Sequence, residues 1–157
     1  MKYLLHLFSI FILLSVIGCS DETIHRTDSP VTRKKAMEKV DLALPSSASS
    51  IYYMNWYTGG MQGLERYTRF DVDPEELDAA VEAIIFKNNT TMSRSLAYPK
   101  SPLSSSRLSS PSDRFSPATW WNPGTVTRGY YRGHMDAYAL QILVDLDNSR
   151  IYISESD

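Results

Sequence analysis

Histidines are the first candidates for chemistry in this chain, because a nucleophilic hydrolase needs a nucleophile, a base and a group that orients the base. His6 and His25 lie near the N-terminus, and His134 lies in the C-terminal third of the chain. His134 could pair with Asp136 or Asp145, but no serine stands at a nucleophile elbow. We therefore predict no catalytic residue and favour a loop histidine, with a small hydrolase using His134 as the weaker alternative.

A run of acidic residues near the C-terminus has the spacing with which a calcium loop opens, Asp145-Leu146-Asp147-Asn148-Ser149. Arg150 stands where such a loop needs glycine, and Ser156 stands where it needs a bidentate carboxylate. A hairpin turn with polar side chains explains the run better. We predict neither a metal site nor a cofactor.

Aromatic residues are the most distinctive candidates for binding. They are dense around Trp56 and again from Trp120 and Trp121 to Tyr130. Exposed rings can stack on sugars or anchor a protein partner, whereas buried rings would fill the core of a small domain. We favour buried rings and expect Trp120 and Trp121 to be the exposed exceptions. A possible ligand site consists of Trp56, Trp120, Trp121 and Tyr130.

Composition narrows the classes of protein further. The chain has 157 residues, a formal net charge of −2 and one cysteine. This length fits one domain, and the near-neutral charge argues against nucleic acid as a partner. A single cysteine excludes an intramolecular disulfide and any multi-cysteine metal site.

The N-terminus has the pattern of an export signal. Lys2 precedes an apolar run from Tyr3 to Ile17, which ends in Gly18 and Cys19. A basic start, a short apolar run and a small residue at its end are typical of a secretory signal peptide. The run is shorter than the roughly 20 residues that a membrane-spanning helix needs.

Val16-Ile17-Gly18-Cys19 resembles the lipobox of bacterial lipoproteins. The resemblance implies cleavage between Gly18 and Cys19, a diacylglyceryl group on the Cys19 thiol and a fatty acyl group such as palmitate on its new amine. Several acyl chains on one residue give stable membrane anchoring. Ser20 after the cysteine is compatible with the periplasmic face of an outer membrane, where the host has one. The mature part is similar to small bacterial lipoproteins without an assigned activity.

Residues 1–18 are thus expected to be a lipoprotein signal peptide, and residues 19–50 the lipidated cysteine with a flexible tether. The tether is rich in Ser, Thr and charge and has no sustained period. Its basic trio, Arg33-Lys34-Lys35, could touch anionic lipid, although a solvated linker is favoured. Such a tether would hold the domain away from the bilayer.

The domain is expected at 51–157. Strands are predicted at 51–57 and 64–70, and a helix at 74–86. Asp73 and Glu76 form a capping box at its start, and Leu77, Ala80, Val81, Ile84 and Ile85 fall on one apolar stripe. Its early acids, Glu75, Glu76 and Asp78, suit the helix dipole rather than a glycosidase pair.

A Ser- and Pro-rich stretch follows, and residues 88–118 are predicted to be a disordered loop. Further strands are predicted at 126–132 and in a terminal hairpin that turns at Asp147-Asn148-Ser149. The order β-β-α-loop-β-β-β predicts an α+β domain, a small antiparallel sheet with one amphipathic helix packed on it.

These observations predict a non-enzymatic, lipid-anchored protein of the cell envelope. Its expected partners are membrane lipid through the acylated Cys19 and an envelope protein or glycan. A carbohydrate- or peptidoglycan-binding module that uses exposed aromatics is the alternative.

Overall fold

A single antiparallel sheet forms the centre of the domain. The computed structural model describes residues 23–57, 63–91, 96–105, 108, 118–133 and 140–156. The seven strands are β1 (Thr23–Arg26), β2 (Ser49–Tyr57), β3 (Leu64–Asp71), β4 (Lys100–Ser101), β5 (Gly129–Gly133), β6 (Gln141–Asp145) and β7 (Arg150–Ser156). The helices are α1 (Arg33–Met37) and α2 (Leu77–Thr91), with 3-10 turns at Pro74–Glu76, Leu103–Ser105 and Pro123–Thr125.

The strands lie in the order β1-β2-β3-β7-β6-β5-β4. Two meanders, β1–β3 and β4–β7, join where β3 pairs with β7, from Glu65↔Ser156 to Asp71↔Arg150. Helix α2 connects the two meanders. The α+β prediction is confirmed, with an antiparallel sheet and one main helix.

Helix α2 forms for the reason that its sequence indicates. All five residues of the predicted stripe are buried, from Leu77 to Ile85. The helix runs to Thr91 rather than ending near residue 86. The capping box is wrong: Asp73 makes no side-chain cap, and Glu76 accepts instead from the Ser47 hydroxyl at 2.5 Å.

Both faces of the sheet are covered. On the side that we call the helical face, α1, α2 and residues 40–44 pack on strand residues such as Ile51, Phe70 and Ile151. On the aromatic face, residues 118–126 pack on Met54, Tyr67 and Tyr152. Two covered faces explain why β6 and β7 are buried through consecutive residues instead of at every second one.

The flexible tether predicted at 19–50 is wrong for residues 23–50. β1 pairs with β2, and Val40, Leu42 and Leu44 are buried. The Thr27 N–H donates to the Tyr53 carbonyl at 3.0 Å, and the Thr27 hydroxyl accepts from the Tyr53 N–H at 3.1 Å. The three apolar residues belong to the same core cluster as the buried stripe of α2.

The disordered loop predicted at 88–118 is wrong where the structure describes it. Helix α2 occupies residues 88–91, Tyr98 is buried, and β4 pairs with β5 through Lys100↔Arg132 and Ser101↔Tyr131. The Tyr98 hydroxyl accepts from the Asn88 side chain at 2.9 Å, which ties the loop to the helix end. Residues 92–95, 106–107 and 109–117 lie outside the described residues.

Candidate functional site

A groove lies between α2 and the segment 33–45. Its volume is about 560 Å³, within the range of small-ligand sites. One wall is α2, and the other consists of α1 and the chain that follows it. The lining is mostly apolar and includes three charged residues, Arg33, Glu76 and Lys87. The other lining residues are Met37, Leu42, Ala43, Leu44, Pro45, Ala79, Ala80 and Ala83.

Small side chains on α2 leave room for this groove. Ala79, Ala80 and Ala83 lie on the side of the helix that faces segment 33–45, because residues three and four apart share a helix face. Opposite them, Leu42 and Leu44 are buried, while half of the Met37 surface is exposed. The groove therefore offers an apolar floor with a flexible methionine at its opening.

Charged groups mark the length of the groove. Glu76 lies at the start of α2 and Lys87 eleven residues further on, which is about 16 Å of helix. Lys87 forms an ion pair with Asp41. Arg33 donates from Nε and Nη2 to the Leu44 carbonyl at 3.1 and 2.8 Å, which holds segment 42–45 in place. Chemically, the groove suits an elongated apolar group with polar ends.

The rings predicted as exposed exceptions are buried. Trp120 and Trp121 retain only 4% and 9% of their exposure, so the prediction of an exposed pair is wrong. Adjacent residues of an extended chain point in opposite directions, but here the chain turns, with the Trp121 N–H donating to the Ala118 carbonyl at 2.8 Å. Both side chains can then reach the same face of the sheet.

The tryptophans belong to an aromatic cluster in that face. Trp121 meets Tyr67 and Tyr152 edge-on, with ring centroids 5.1 and 5.6 Å apart. Trp120 stacks on Tyr52 at 5.5 Å and donates from Nε1 to the Thr27 carbonyl at 2.8 Å. Edge-on and offset-stacked pairs are the favourable arrangements of rings, so the cluster stabilises the core.

Arg69 completes this cluster. Its guanidinium carbon lies 5.0 Å from the centroid of the Tyr52 ring, and its Nη1 donates to the Trp120 carbonyl at 3.0 Å. Arg69 is thus a cation–π and hydrogen-bonding partner of the rings inside the fold.

Tyr130 does not join the two tryptophans, because it packs on the helical face, whereas they pack on the aromatic face. Trp56 is buried in β2. The four residues predicted as a ligand site therefore do not share one surface, and none of them is an exposed platform.

Tyr130 takes part in a polar cluster between α2 and the β4 edge. Its hydroxyl donates to Asp78, and the Lys100 ammonium lies 3.7 Å from the centroid of its ring. Arg132 pairs with Glu82 at 2.7 Å. Burial, and then the hydrogen bond to Asp78, raise the pKa of Tyr130 above its usual range. The contacts of this cluster join α2 to β4 and β5.

Residues 145–149 form a hairpin turn, as their sequence predicts. Buried Asp145 accepts from the backbone N–H groups of Asp147 and Asn148 at 3.1 and 3.2 Å, and from the Asn148 side chain at 2.8 Å. Its carboxylate oxygens are thus engaged by the turn itself. Within the described ranges, no group of His, Cys, Asp and Glu has an arrangement that could hold a metal ion.

Several predicted residues cannot be placed. The cleavage site Gly18–Cys19 and the candidate base His134 lie outside the described residues. In the part of the chain that is described, no helix is both long and apolar enough to cross a bilayer. Sequence reasoning missed the groove because one wall lies in the predicted tether. The apolar residues Met37, Val40, Leu42 and Leu44 were the available signal.

Comparison with known proteins finds no similarity for this chain: no family model, no curated protein and no solved structure matches it.

Proposed function

We propose that this chain is a lipid-anchored protein of the cell envelope whose α+β domain binds or supports another envelope component without catalysis. The observation that carries the anchor is the run Val16-Ile17-Gly18-Cys19 at the end of an apolar signal. Cys19 is the chain's one cysteine, and a free exported thiol is otherwise a liability.

The anchor is tested by Cys19→Ala, with Ser20→Ala as the matched control. Wild type and S20A should fractionate with membranes, and their mature mass should correspond to cleavage before Cys19 plus acyl groups. C19A should lose the acyl mass and leave the membrane fraction. A C19A protein that stays in the membrane with the wild-type mass would show that lipidation is not the anchor.

The groove supports the binding part of this proposal. It combines a mostly apolar lining with the charged residues Arg33, Glu76 and Lys87, which are the features of a site that recognises a partner by shape and by a few polar contacts. The exposed Phe86, with 72% of its surface accessible, follows Ala83 by three residues and extends the apolar surface beyond the groove.

A photo-crosslinking residue at position 83 tests the groove in living cells, with position 82 on the same helix as control. Ala83 lines the groove, whereas Glu82 is exposed and pairs with Arg132 of β5. Binding in the groove predicts an adduct of defined mass from position 83 and none from position 82. The same adducts from both positions, or none from either, would contradict it.

Glycan binding remains a second proposed function. Because the aromatic rings that the sequence suggested for it are buried, the groove would have to bind the glycan instead. A pull-down on peptidoglycan with wild type and Ala83→Arg would detect it. Equal retention of both proteins would exclude the groove as the glycan site.

A further inference from the structure

We infer that the edge of the domain formed by β1 and α1 is its membrane-facing surface and rests on anionic lipid. We call this surface, residues 23–39, the basic edge. The inference deepens the proposed function and rests on the anchor at Cys19. The short distance along the chain from Cys19 to the fold is the first observation that supports it.

The fold includes residues much nearer to the anchor than the sequence suggests. Thr23, the first residue of β1, is the fourth residue after Cys19. Four extended residues span at most about 14 Å. A domain tethered by so short a segment cannot stand away from the bilayer, and the strand that begins at Thr23 must lie near the headgroups.

The topology determines which part of the domain lies near the headgroups. β1 is the outer strand on one side of the sheet, and β4 is the outer strand on the other. Seven strands at about 4.8 Å spacing separate the two edges by about 29 Å. After β1 the chain continues along β2, since Val31 bridges to Ile51, so residues 27–31 extend the same edge.

Charge decides how this edge meets the bilayer. Helix α1 follows directly, and Lys34, Lys35 and Lys39 are exposed on or just after it. Ala36 and Val40 face the core, whereas Arg33 and Met37 line the groove beside α2. By helix periodicity Lys35 therefore points away from α2, towards the outer side.

The same edge carries few acids. Arg26 pairs with Asp28 at 3.2 Å, and Glu38 is exposed beside the lysines. The edge is therefore net positive in a chain whose formal net charge is −2. Each lysine near an anionic surface contributes to binding, and the acyl anchor holds these lysines within reach of the headgroups. The sheet should then stand on its β1 edge, with β4 directed away from the membrane.

Two serines form a matched pair of labelling sites for this orientation. Ser29 is exposed on the basic edge, and Ser104 is exposed in the 3-10 turn after β4. Because acylation would consume the native thiol, S29C and S104C would each carry one reactive cysteine. The acylated proteins are reconstituted in phosphatidylcholine vesicles with or without phosphatidylglycerol, and energy transfer to a headgroup-linked acceptor is measured.

With phosphatidylglycerol, transfer from position 29 should exceed that from position 104 by about twofold, given the separation of the edges. Added K34Q, K35Q and K39Q changes, high salt or omission of phosphatidylglycerol should reduce this difference to the part that the short tether alone maintains. Equal transfer from both positions in the acylated protein, or a difference that the glutamine changes leave intact, would overturn the basic edge while leaving the anchor standing.

The mass of the purified protein separates the two proposals. An unmodified Cys19 would refute the anchor, and the edge is then judged on the unmodified mature chain by sedimentation with the same vesicles. Loss of three lysines should weaken that binding by about a hundredfold. Equal sedimentation of wild type and the triple variant would refute the basic edge independently.

Discussion

The two faces of the sheet are covered in different ways. On the helical face an amphipathic helix presents aliphatic side chains at regular spacing, and α2 buries five of them. On the aromatic face a segment without a regular helix or strand presents Trp120 and Trp121 to Tyr67 and Tyr152. The comparison teaches that an irregular segment can close a core when it carries large aromatic side chains.

The two faces also differ in the parts of the chain that pack together on each of them. The helical face joins α2 to strands that lie on both sides of it in the chain. The aromatic face brings the N-terminal segment and the C-terminal half together, since Trp120 donates to the carbonyl of Thr27, 93 residues away. Loss of the aromatic face should therefore loosen the N-terminal segment as well.

The largest effect is expected from Trp120→Ala. The change removes a buried ring, its stacking on Tyr52 and the hydrogen bond to the Thr27 carbonyl. It should lower the free energy of unfolding by about 3 to 5 kcal/mol, measured by urea titration. Phe86→Ala, at an exposed ring on α2, should stay within about 0.5 kcal/mol. If the Trp120 variant were as stable as the Phe86 variant, the aromatic face would contribute little to the stability of the fold.

Ile84→Ala makes the corresponding test on the helical face. Ile84 is 1% exposed on the buried stripe of α2, and its truncation leaves a cavity against the sheet. We expect a loss of about 2 to 5 kcal/mol in the same titration. A loss below about 1 kcal/mol would mean that the aromatic face alone supports the fold.

Thr27→Val tests the junction between the two regions. The Thr27 hydroxyl accepts from the buried Tyr53 N–H, and valine has a similar shape without the acceptor. One lost hydrogen bond should lower the free energy of unfolding by about 1 to 3 kcal/mol. Thr23→Val, on the exposed start of β1, is the matched control and should change little. Equal stability of both variants would place residue 27 outside the cooperative core.

The smallest diagnostic effect is expected for Tyr130→Phe, as a change in the slope of stability against pH above about pH 10. Burial raises the pKa of Tyr130, so above about pH 10 an unfolded chain loses this proton while the folded chain keeps it. The folded state then binds more protons, and stability must fall as the pH rises.

Removing the phenol removes this contribution. The free energy of unfolding of wild type should therefore decline more steeply above pH 10 than that of Y130F, and the two curves should run parallel below it. Parallel curves at every pH would show that Tyr130 ionises equally in both states.

Prediction from sequence succeeded where one element carries its own pattern. The stripe from Leu77 to Ile85 and the Asp147-Asn148-Ser149 turn need only local periodicity and local hydrogen bonds, and the structure has both. It failed at Glu76, because the partner of that carboxylate is Ser47, 29 residues away, rather than the helix start. Short-range rules contain no information about such a partner.

The sequence by itself determined the α+β class, the buried stripe of α2, the terminal hairpin and the lipobox-like run at Cys19, since each depends on neighbours along the chain. Only the tertiary structure decided that residues 23–50 belong to the domain, that Trp120 and Trp121 are buried and that α2 borders a groove. The reason is physical: burial of Leu42, Leu44 or Trp120 depends on which distant surface each side chain meets, and irregular segments have no period that records this.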